Sequence, residues 1–276
     1  MPWAIIAIGG AFVAFGLLAF AFPCNPEQPR FLPKGLPDDV LYFFVSVLFY
    51  GGWTGGLTAL LAEMAAGRRA PQLLKAMDAG YGWLPHLPLW AQCLALLVVT
   101  DVCQYWLHRM FHGRVFWPFH AVHHGAEHVN WSTTYRMHPV QYLLYSTSVA
   151  VLAKFMGFSP LAFAAIAPLN LLHGMLVHAN LNWTFGPFRY VLASPVFHRW
   201  HHCNDLAARE KNFAPTFPVL DLMFGTFYMP QGALPSGFGA EGTPDHFFGQ
   251  MLYPFGEIAR DMAPRSRAPA AVPAGR

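Results

Sequence analysis

Residues 87–124 read LPLWAQCLALLVVTDVCQYWLHRMFHGRVFWPFHAVHH, an apolar run that passes directly into a histidine-rich segment. Leu87–Thr100 carries no charged side chain, and the run reaches the roughly 20 residues needed to span a bilayer only if it continues past Asp101 to Leu107. The polar residues that follow, 108–138, are too rich in charges and histidines to lie in lipid. The stretch therefore predicts a membrane helix that leads into a histidine-rich segment outside the hydrocarbon.

The composition of the whole chain agrees with a membrane location. Of the 276 residues, 55% are apolar and 11% are charged, whereas soluble domains carry about 25% charged residues. So few charges exclude a soluble globule of this size, and the high apolar content excludes a disordered chain. The net charge of +3 excludes a nucleic-acid partner. The four cysteines form no CxxC pair, which excludes a zinc ribbon or a disulfide framework.

Four further apolar segments predict additional membrane helices. They are Trp3–Phe22, Val40–Ala62, Pro139–Gly157 and Pro160–Val177. Only Phe158 and Ser159 separate the last two, so we expect a helical hairpin that leaves the histidine-rich side and returns to it. The predicted fold class is an all-α integral membrane helical bundle with a cytosolic, histidine-rich helical cap.

The same segments predict the domain organisation. We expect a single membrane-embedded domain over residues 1–262, with the N-terminal transmembrane helices in 1–86 and the histidine-rich part in 87–255. The tail over 263–276 is rich in Ala, Pro and Arg, and it is predicted to be disordered.

The distribution of basic residues predicts the orientation in the membrane. Seven of them lie in the histidine-rich segments: Arg109, Arg114, Arg136, Arg189, Arg199, Arg209 and Lys211. By the positive-inside rule, this face is cytosolic. Two arrangements of the residues before Asp101 stay open. Three full crossings put the N-terminus and the loop with Arg68, Arg69 and Lys75 outside, whereas a re-entrant Leu87–Leu107 segment puts both inside.

Histidine is enriched in the same part of the chain, and its spacing indicates a metal site. Of fourteen histidines, twelve lie between His108 and His202. They include one HxxxH group at 108–112 and two HxxHH groups at 120–124 and 198–202. Side chains at i, i+3 and i+4 lie on one face of a helix, so each group is expected to aim its imidazoles at one point. Imidazole suits iron, zinc, copper and nickel.

Two metal ions fit this number of ligands better than one. The predicted ligands are the eight histidines of the three groups, together with the one that the hairpin returns to the same face: His108, His112, His120, His123, His124, His198, His201, His202 and His178. A hydrolytic zinc, with three protein ligands and a water, would leave most of them unused. A pair of redox irons fits the number best, and zinc can take their place in purified protein because imidazole binds it readily.

Four other side chains are weaker candidates, either as ligands or as groups that orient the ligands. They are His173, His138, Asp205 and Asp101. His173 lies deeper in an apolar helix, and His138 is equally well placed to start a helix. Asp205 lies at i+4 from His201, and Asp101 lies close to lipid, where an acid is costly unless it has a role. Glu127 and Glu210 are weaker still, and His86, His128 and His246 are expected to be structural or solvated.

At these positions the chain resembles the fatty acid hydroxylase/sterol desaturase superfamily. The matching stretches are HRMFH (108–112), HAVHH (120–124), RMHP (136–139), HAN (178–180), HRWHH (198–202), KNF (211–213), FGTFY (224–228) and QMLYPF (250–255). The resemblance covers about residues 87–255. It implies a non-haem di-iron oxidase that activates O2 and hydroxylates or desaturates an unactivated C–H bond of a lipid or sterol-like substrate. It also implies an ER-type or bacterial inner membrane, with the metal site on the cytosolic face.

The chain departs from the usual pattern of the superfamily at two positions. Gln141 stands where an acid is common, and Leu220 precedes Asp221 where Trp is common. These departures bear on the subfamily and not on the metal site. The HxxxH spacing, in place of HxxxxH, argues against the carotenoid hydroxylase branch.

The electrons for such a reaction are expected to come from a separate donor protein. The sequence contains no dinucleotide-binding fingerprint, no iron–sulfur cysteine set and no cytochrome-like segment. The alternative function is a membrane metal transporter or a metal-dependent hydrolase that uses the same histidines. Transport would place the ligands near the middle of the bilayer, whereas these histidines lie at the ends of the predicted helices.

Overall fold

The computed structural model describes residues 2–262, apart from the side chains of residues 2–8 and 49–51, so the predicted disorder of 263–276 lies outside the described residues. Ten α-helices occur in this range: α1 (Pro2–Ala21), α2 (Leu36–Ala66), α3 (Ala70–Ala79), α4 (Leu89–Phe111), α5 (Trp117–His124), α6 (Pro139–Phe155), α7 (Pro160–His178), α8 (Pro195–His202), α9 (Val219–Met223) and α10 (Phe247–Met262). No β-strand occurs among the described residues, only isolated bridges. The prediction of an all-α bundle is confirmed.

Among the described residues, three helical stretches are long and apolar enough to cross a membrane. They are Leu36–His86, α4 and α7. The two other predicted segments form α6 and α1. α6 has 17 residues, or about 26 Å at 1.5 Å per residue. α1 has 20 residues, and the part of it that is described with its side chains, Gly9–Ala21, is apolar.

α4 is one continuous helix of 23 residues, without the turn that a re-entrant loop would need. It begins beside the start of α7, where the Ser159 hydroxyl donates to Gln92 Oε1 at 2.6 Å. Asp101 does not interrupt the helix, because it is buried and its carboxylate accepts the backbone N–H groups of Thr216 and Phe217, at 2.7 and 3.0 Å. A buried carboxylate with such partners is tolerated where an unpartnered one is not.

The helices α6 and α7 form the predicted hairpin. α6 begins next to His138, and α7 returns to the same end of the bundle at His178. Near the tip of the hairpin, Lys154 forms an ion pair with Asp78 of α3 at 2.8 Å. α3 and the basic residues at 67–69 therefore lie at the end opposite the histidines.

Local sequence explains how α8 presents its histidines. The Ser194 hydroxyl caps the helix by accepting the Phe197 N–H at 3.2 Å. Pro195 occupies the first turn, where a missing N–H needs no partner. Val196, Phe197 and Trp200 enter a buried apolar cluster that includes the end of α7. Because these residues occupy one face of a two-turn helix, the three histidines lie on the other face.

Candidate metal centre

Nine histidines converge at one end of the bundle, where α4 and α7 end and α5 and α8 cross. They form two groups in which every ligand nitrogen lies within 4.8 Å of the others. The five-histidine group consists of His108, His112, His120, His124 and His201. The four-histidine group consists of His123, His178, His198 and His202. These are the nine histidines that the sequence predicts as ligands.

Each HxxHH group divides its histidines between the two groups, contrary to the expectation that each aims at one point. α5 contributes two rings to the five-histidine group and His123 to the other. α8 contributes His198 and His202 to the four-histidine group and His201 to the five-histidine group. Consecutive helical residues are about 100° apart, so neighbouring histidines point to different places. The two groups are adjacent, since the His124 and His202 rings stack with their centroids 4.6 Å apart.

Backbone carbonyl groups set the tautomer of four of these rings. In the five-histidine group, His108 Nδ1 lies 2.7 Å from the carbonyl oxygen of Phe213, and His201 Nδ1 lies 2.7 Å from that of Lys211. A carbonyl oxygen only accepts, so each Nδ1 carries the hydrogen. The Nε2 atom of a neutral ring is then left with a lone pair.

The four-histidine group is arranged in the same way by other elements. His123 Nδ1 lies 3.0 Å from the carbonyl oxygen of Arg136, and His178 Nδ1 lies 2.7 Å from that of Gly174, one turn earlier in α7. Both rings therefore also present an unprotonated Nε2.

These Nε2 atoms face one another at separations that suit the ligands of one metal ion. The Nε2 atoms of His123 and His178 are 3.3 Å apart, and neither carries a hydrogen with which to bond the other. In the five-histidine group, His201 Nε2, which also carries no hydrogen, lies 3.0 Å from the Nε2 atom of His124, whose tautomer no carbonyl group sets. Two lone pairs repel at this distance unless a positive ion lies between them. Ligands about 2.1 Å from one ion are separated by roughly 3 Å, so the residues present fit a metal ion in each group.

Burial keeps the six histidines of α5 and α8 neutral. All nine are buried except His112, which is partly exposed. Burial lowers the pKa of the six histidines in α5 and α8 well below its ordinary value: His120, His123, His124, His198, His201 and His202. A neutral imidazole is the form that binds a metal. Neither group contains a carboxylate or a thiol among the described residues, so both are all-nitrogen sites.

The two other candidate histidines lie outside both groups. His138 caps α6, because its Nδ1 accepts the Val140 N–H at 3.2 Å, and its Nε2 lies 3.2 Å from the carbonyl oxygen of Met251. His173 Nε2 lies 3.0 Å from the carbonyl oxygen of Ala193. Both side chains tie backbone segments together.

The candidate carboxylates do not contact the imidazoles of the two groups, except for Glu210. α8 ends at His202, so Asp205 is not at a helical i+4 position and its carboxylate accepts the N–H of Ala207 instead. Asp101 accepts backbone N–H groups of residues 216 and 217. Glu210 Oε1 lies 3.3 Å from His112 Nδ1. Glu127 pairs with Lys34 on the surface.

Several buried polar residues that support the centre were not identified from the sequence. Asp221 accepts the N–H groups of Phe213 and Ala214 and holds the segment that contacts two of the rings. The Asn212 side chain donates to the carbonyl oxygens of Phe197 and Tyr228, and its Oδ1 accepts the Tyr228 N–H. Asn212 lies in the KNF stretch and Asp221 lies shortly before the FGTFY stretch. These two stretches were the sequence signal that could have identified them.

Two arginines tie the cap to the bundle. Arg136 is buried and pairs with Asp39 of α2 at 2.7 Å, while its carbonyl oxygen accepts from His123. Arg199 is fully buried and donates to the carbonyl oxygen of His178 and to Asn25 Oδ1.

A cavity of about 1120 Å³ opens from the cap surface onto both groups. His112, His124 and His201 of the five-histidine group and His202 of the four-histidine group line its floor. Its rim carries charged side chains of both signs, so the centre is accessible to polar molecules from this side.

Comparisons with known proteins point to one family. Residues 93–226, which include all nine histidines, match the family model for fatty acid hydroxylases. An alkylglycerol monooxygenase from Danio rerio is 30% identical over 232 residues, which cover 75% of this chain and 50% of the relative. An ornithine lipid hydroxylase from Rhizobium tropici is 28% identical over 181 residues, or 64% of this chain and 54% of the relative.

A methylsterol monooxygenase from Rattus norvegicus is 28% identical over 153 residues, which cover 53% of this chain and 50% of the relative. The chain thus spans about half the length of the curated relatives it matches. No solved structure matches it.

Proposed function

Because this chain belongs to the fatty acid hydroxylase/sterol desaturase superfamily, we propose that it is a membrane-bound, O2-dependent di-iron oxidoreductase that hydroxylates or desaturates an unactivated C–H bond of a lipid or sterol-like molecule. The observation that carries the proposal is the convergence of nine imidazole nitrogens in two adjacent, buried groups, in one of which the unprotonated Nε2 atoms of His123 and His178 face each other at 3.3 Å. The names of the relatives support it, since each is a monooxygenase or hydroxylase of a lipid.

The residues of each group would hold one iron ion. Two bound irons would supply the activation of O2 and the oxidising power that no protein side chain has. The chain itself supplies neutral imidazoles, and backbone carbonyl groups hold four of the rings in a fixed tautomer.

The overall reaction requires electrons from outside the chain. Hydroxylation consumes one C–H bond, one O2, two electrons and two protons, and it yields an alcohol and one water. Desaturation consumes the same O2, electrons and protons, removes two hydrogens from the substrate and yields two waters. The sequence contains no recognisable redox module, so a separate donor protein would supply the electrons.

Iron is favoured over zinc by the composition of the two groups. Structural zinc sites usually take four ligands, often including Cys, and catalytic zinc takes three protein ligands and a water. Here nine imidazoles and no thiolate form the two groups among the described residues. Zinc in purified, inactive protein would not contradict the proposal, because affinity alone does not select iron at imidazole sites.

The metal transporter or hydrolase is less well supported by the position of the histidines. They lie at the ends of α4 and α7 and in the cap, whereas transport sites lie near the middle of the bilayer. A hydrolytic zinc would use a minority of the nine rings.

The experiment that tests the proposal compares lipid extracts from cells with and without the protein by mass spectrometry. We expect a lipid that gains one oxygen or loses two hydrogens, and we expect this product to disappear in His124→Ala and His202→Ala, one variant for each group. His246→Ala is the matched control, since His246 lies outside both groups and its Nδ1 accepts the Gly249 N–H. Product formation that persists in both group variants would contradict the di-iron assignment.

A further inference from the structure

A short segment of the cap, residues 211–214, orients the five-histidine group. The carbonyl oxygens of Lys211 and Phe213 accept the Nδ1–H groups of His201 and His108, each at 2.7 Å. These two contacts set the tautomer and the ring orientation of two of the five imidazoles. The position of the segment therefore decides where two of the five Nε2 atoms point.

Asp221 holds this segment on its other side. Its Oδ1 accepts the N–H of Phe213 at 2.8 Å and the hydroxyl of Thr226 at 2.6 Å, and its Oδ2 accepts the N–H of Ala214 at 2.9 Å. The side chain is fully buried. Phe213 thus donates its N–H to Asp221 and accepts from His108 with its carbonyl oxygen. It is the single residue that links the Asp221 carboxylate to the His108 ring.

In the four-histidine group, the two rings that bond backbone carbonyl groups use other segments. His123 donates to the carbonyl oxygen of Arg136, which the Asp39 carboxylate holds in place. His178 donates to Gly174 within its own helix. A displacement of residues 211–214 should therefore move two rings of the five-histidine group directly, whereas it reaches the four-histidine group only through the contact of Asn212 with the Phe197 carbonyl oxygen in α8.

We propose that Asp221 is a positioning residue for the metal ion of the five-histidine group and has no such role for the four-histidine group. The inference rests on the proposed function, because it requires both groups to bind metal. Asn at this position has nearly the same shape, but an NH2 group replaces one of the two oxygens that accept the Phe213 and Ala214 N–H groups, so one N–H faces another donor. The segment must then shift and take the two carbonyl groups with it.

The test is an anaerobic titration of the detergent-solubilised full chain with Fe(II) against a chromophoric chelator. We expect the wild-type protein to bind two equivalents. Asp221→Asn should bind one equivalent with wild-type affinity and one about 10–100-fold more weakly, the usual effect of losing a partner that orients a ligand. The double variant of Asp221→Asn with His202→Ala should lose the Fe(II) that binds with wild-type affinity, because His202 belongs to the four-histidine group. The double variant of Asp221→Asn with His108→Ala should keep that Fe(II), because His108 belongs to the other group.

Asp39→Asn is the matched control. Asp39 is also buried, but it accepts from Ser132 and Arg136 and does not contact residues 211–214. When Asp39→Asn is combined with His202→Ala, the Fe(II) that binds to the five-histidine group should keep its wild-type affinity. If Asp221→Asn does not yield folded protein, Thr226→Val, which removes one hydrogen bond to Asp221, should weaken the same equivalent to a smaller extent.

Three outcomes would overturn the inference. They are two equivalents of wild-type affinity in folded Asp221→Asn protein, weakening of both equivalents in that protein, and weakening of the five-histidine equivalent by Asp39→Asn. Wild-type protein that binds fewer than two ions would instead contradict the proposed function, so the two failures are distinguishable.

Discussion

The buried ion pair between Arg136 and Asp39 is one of the contacts that connect the site to the bundle. The guanidinium Nε donates to the carboxylate at 2.7 Å, and both side chains are less than 5% exposed. The same carboxylate accepts the hydroxyl of Ser132, and the Arg136 carbonyl oxygen orients His123. One interaction thus fixes the start of α2, the loop before α6 and one ring of the four-histidine group.

Asp39→Ala should destabilise the protein by about 3–5 kcal/mol, because it leaves a buried guanidinium without its counter-charge. The measurement is the thermal unfolding of the protein in detergent. Asp78→Ala is the control: Asp78 pairs with Lys154 at the surface with 66% of its side chain exposed, and such pairs contribute at most about 1 kcal/mol. The hypothesis fails if both variants lower the unfolding temperature equally. Asp39→Asn should be milder than the alanine variant, since the amide oxygen still accepts from Arg136.

At the scale of the helices, much of the structure was predictable from the apolar runs. The segments predicted around α4 and α7 agree with these helices within four residues at each end, because a bilayer-length apolar run has few alternatives to a helix. The continuity of α4 through Asp101 was not predictable. It depends on the N–H groups of residues 216 and 217, more than a hundred positions later, and no local pattern contains that contact.

The same limit applies to the candidate site. The spacing of the histidines identified the nine side chains that converge, but not their division into groups of five and four. That division depends on how α5 and α8 lie against α4 and α7, and therefore on packing of the whole cap. The carbonyl groups that orient the rings carry no residue-type signature. For the same reason Asp205, which looked well placed on an extended α8, is displaced by the end of that helix at His202.

The amphipathic helix α10 should lie at the bilayer surface. Phe248, Leu252 and Phe255 are 75%, 71% and 53% exposed along one face, while Phe247, Gln250 and Pro254 on the other face are buried against the protein. An exposed apolar stripe of this kind inserts shallowly into the interface. The helix contacts α5 and α2, so it would place the cap against the membrane.

Fluorescence quenching by brominated lipids tests this placement of α10. A dye attached to Leu252→Cys, in a chain reconstituted without its native cysteines, should be quenched strongly. A dye at Glu257→Cys, about 140° around the helix, should be quenched weakly. Equal quenching at the two positions would contradict an interfacial helix.

At the scale of the whole molecule, the ends of the bundle differ in their chemistry. The end with the nine histidines contains the cavity and the ion pairs of the cap, whereas the opposite end contains α3, the turn of the hairpin and the basic residues at 67–69. The two ends must face different compartments if α4 and α7 cross a membrane. We propose that the histidine end is cytosolic, because seven basic residues lie in its segments.

Cysteine labelling in intact cells tests this orientation, with the four native cysteines replaced. Arg209→Cys, at the rim of the cavity, should resist a membrane-impermeant thiol reagent until the cells are permeabilised. Arg69→Cys, exposed at the opposite end, should react in intact cells, because α2 and α4 carry the chain across the bilayer on either side of it. The reverse pattern would place the metal centre on the external face and would exclude a cytosolic electron donor. Equal reactivity at both positions in intact cells would contradict the crossing of the membrane by α4, and with it the assignment of the two ends to separate compartments.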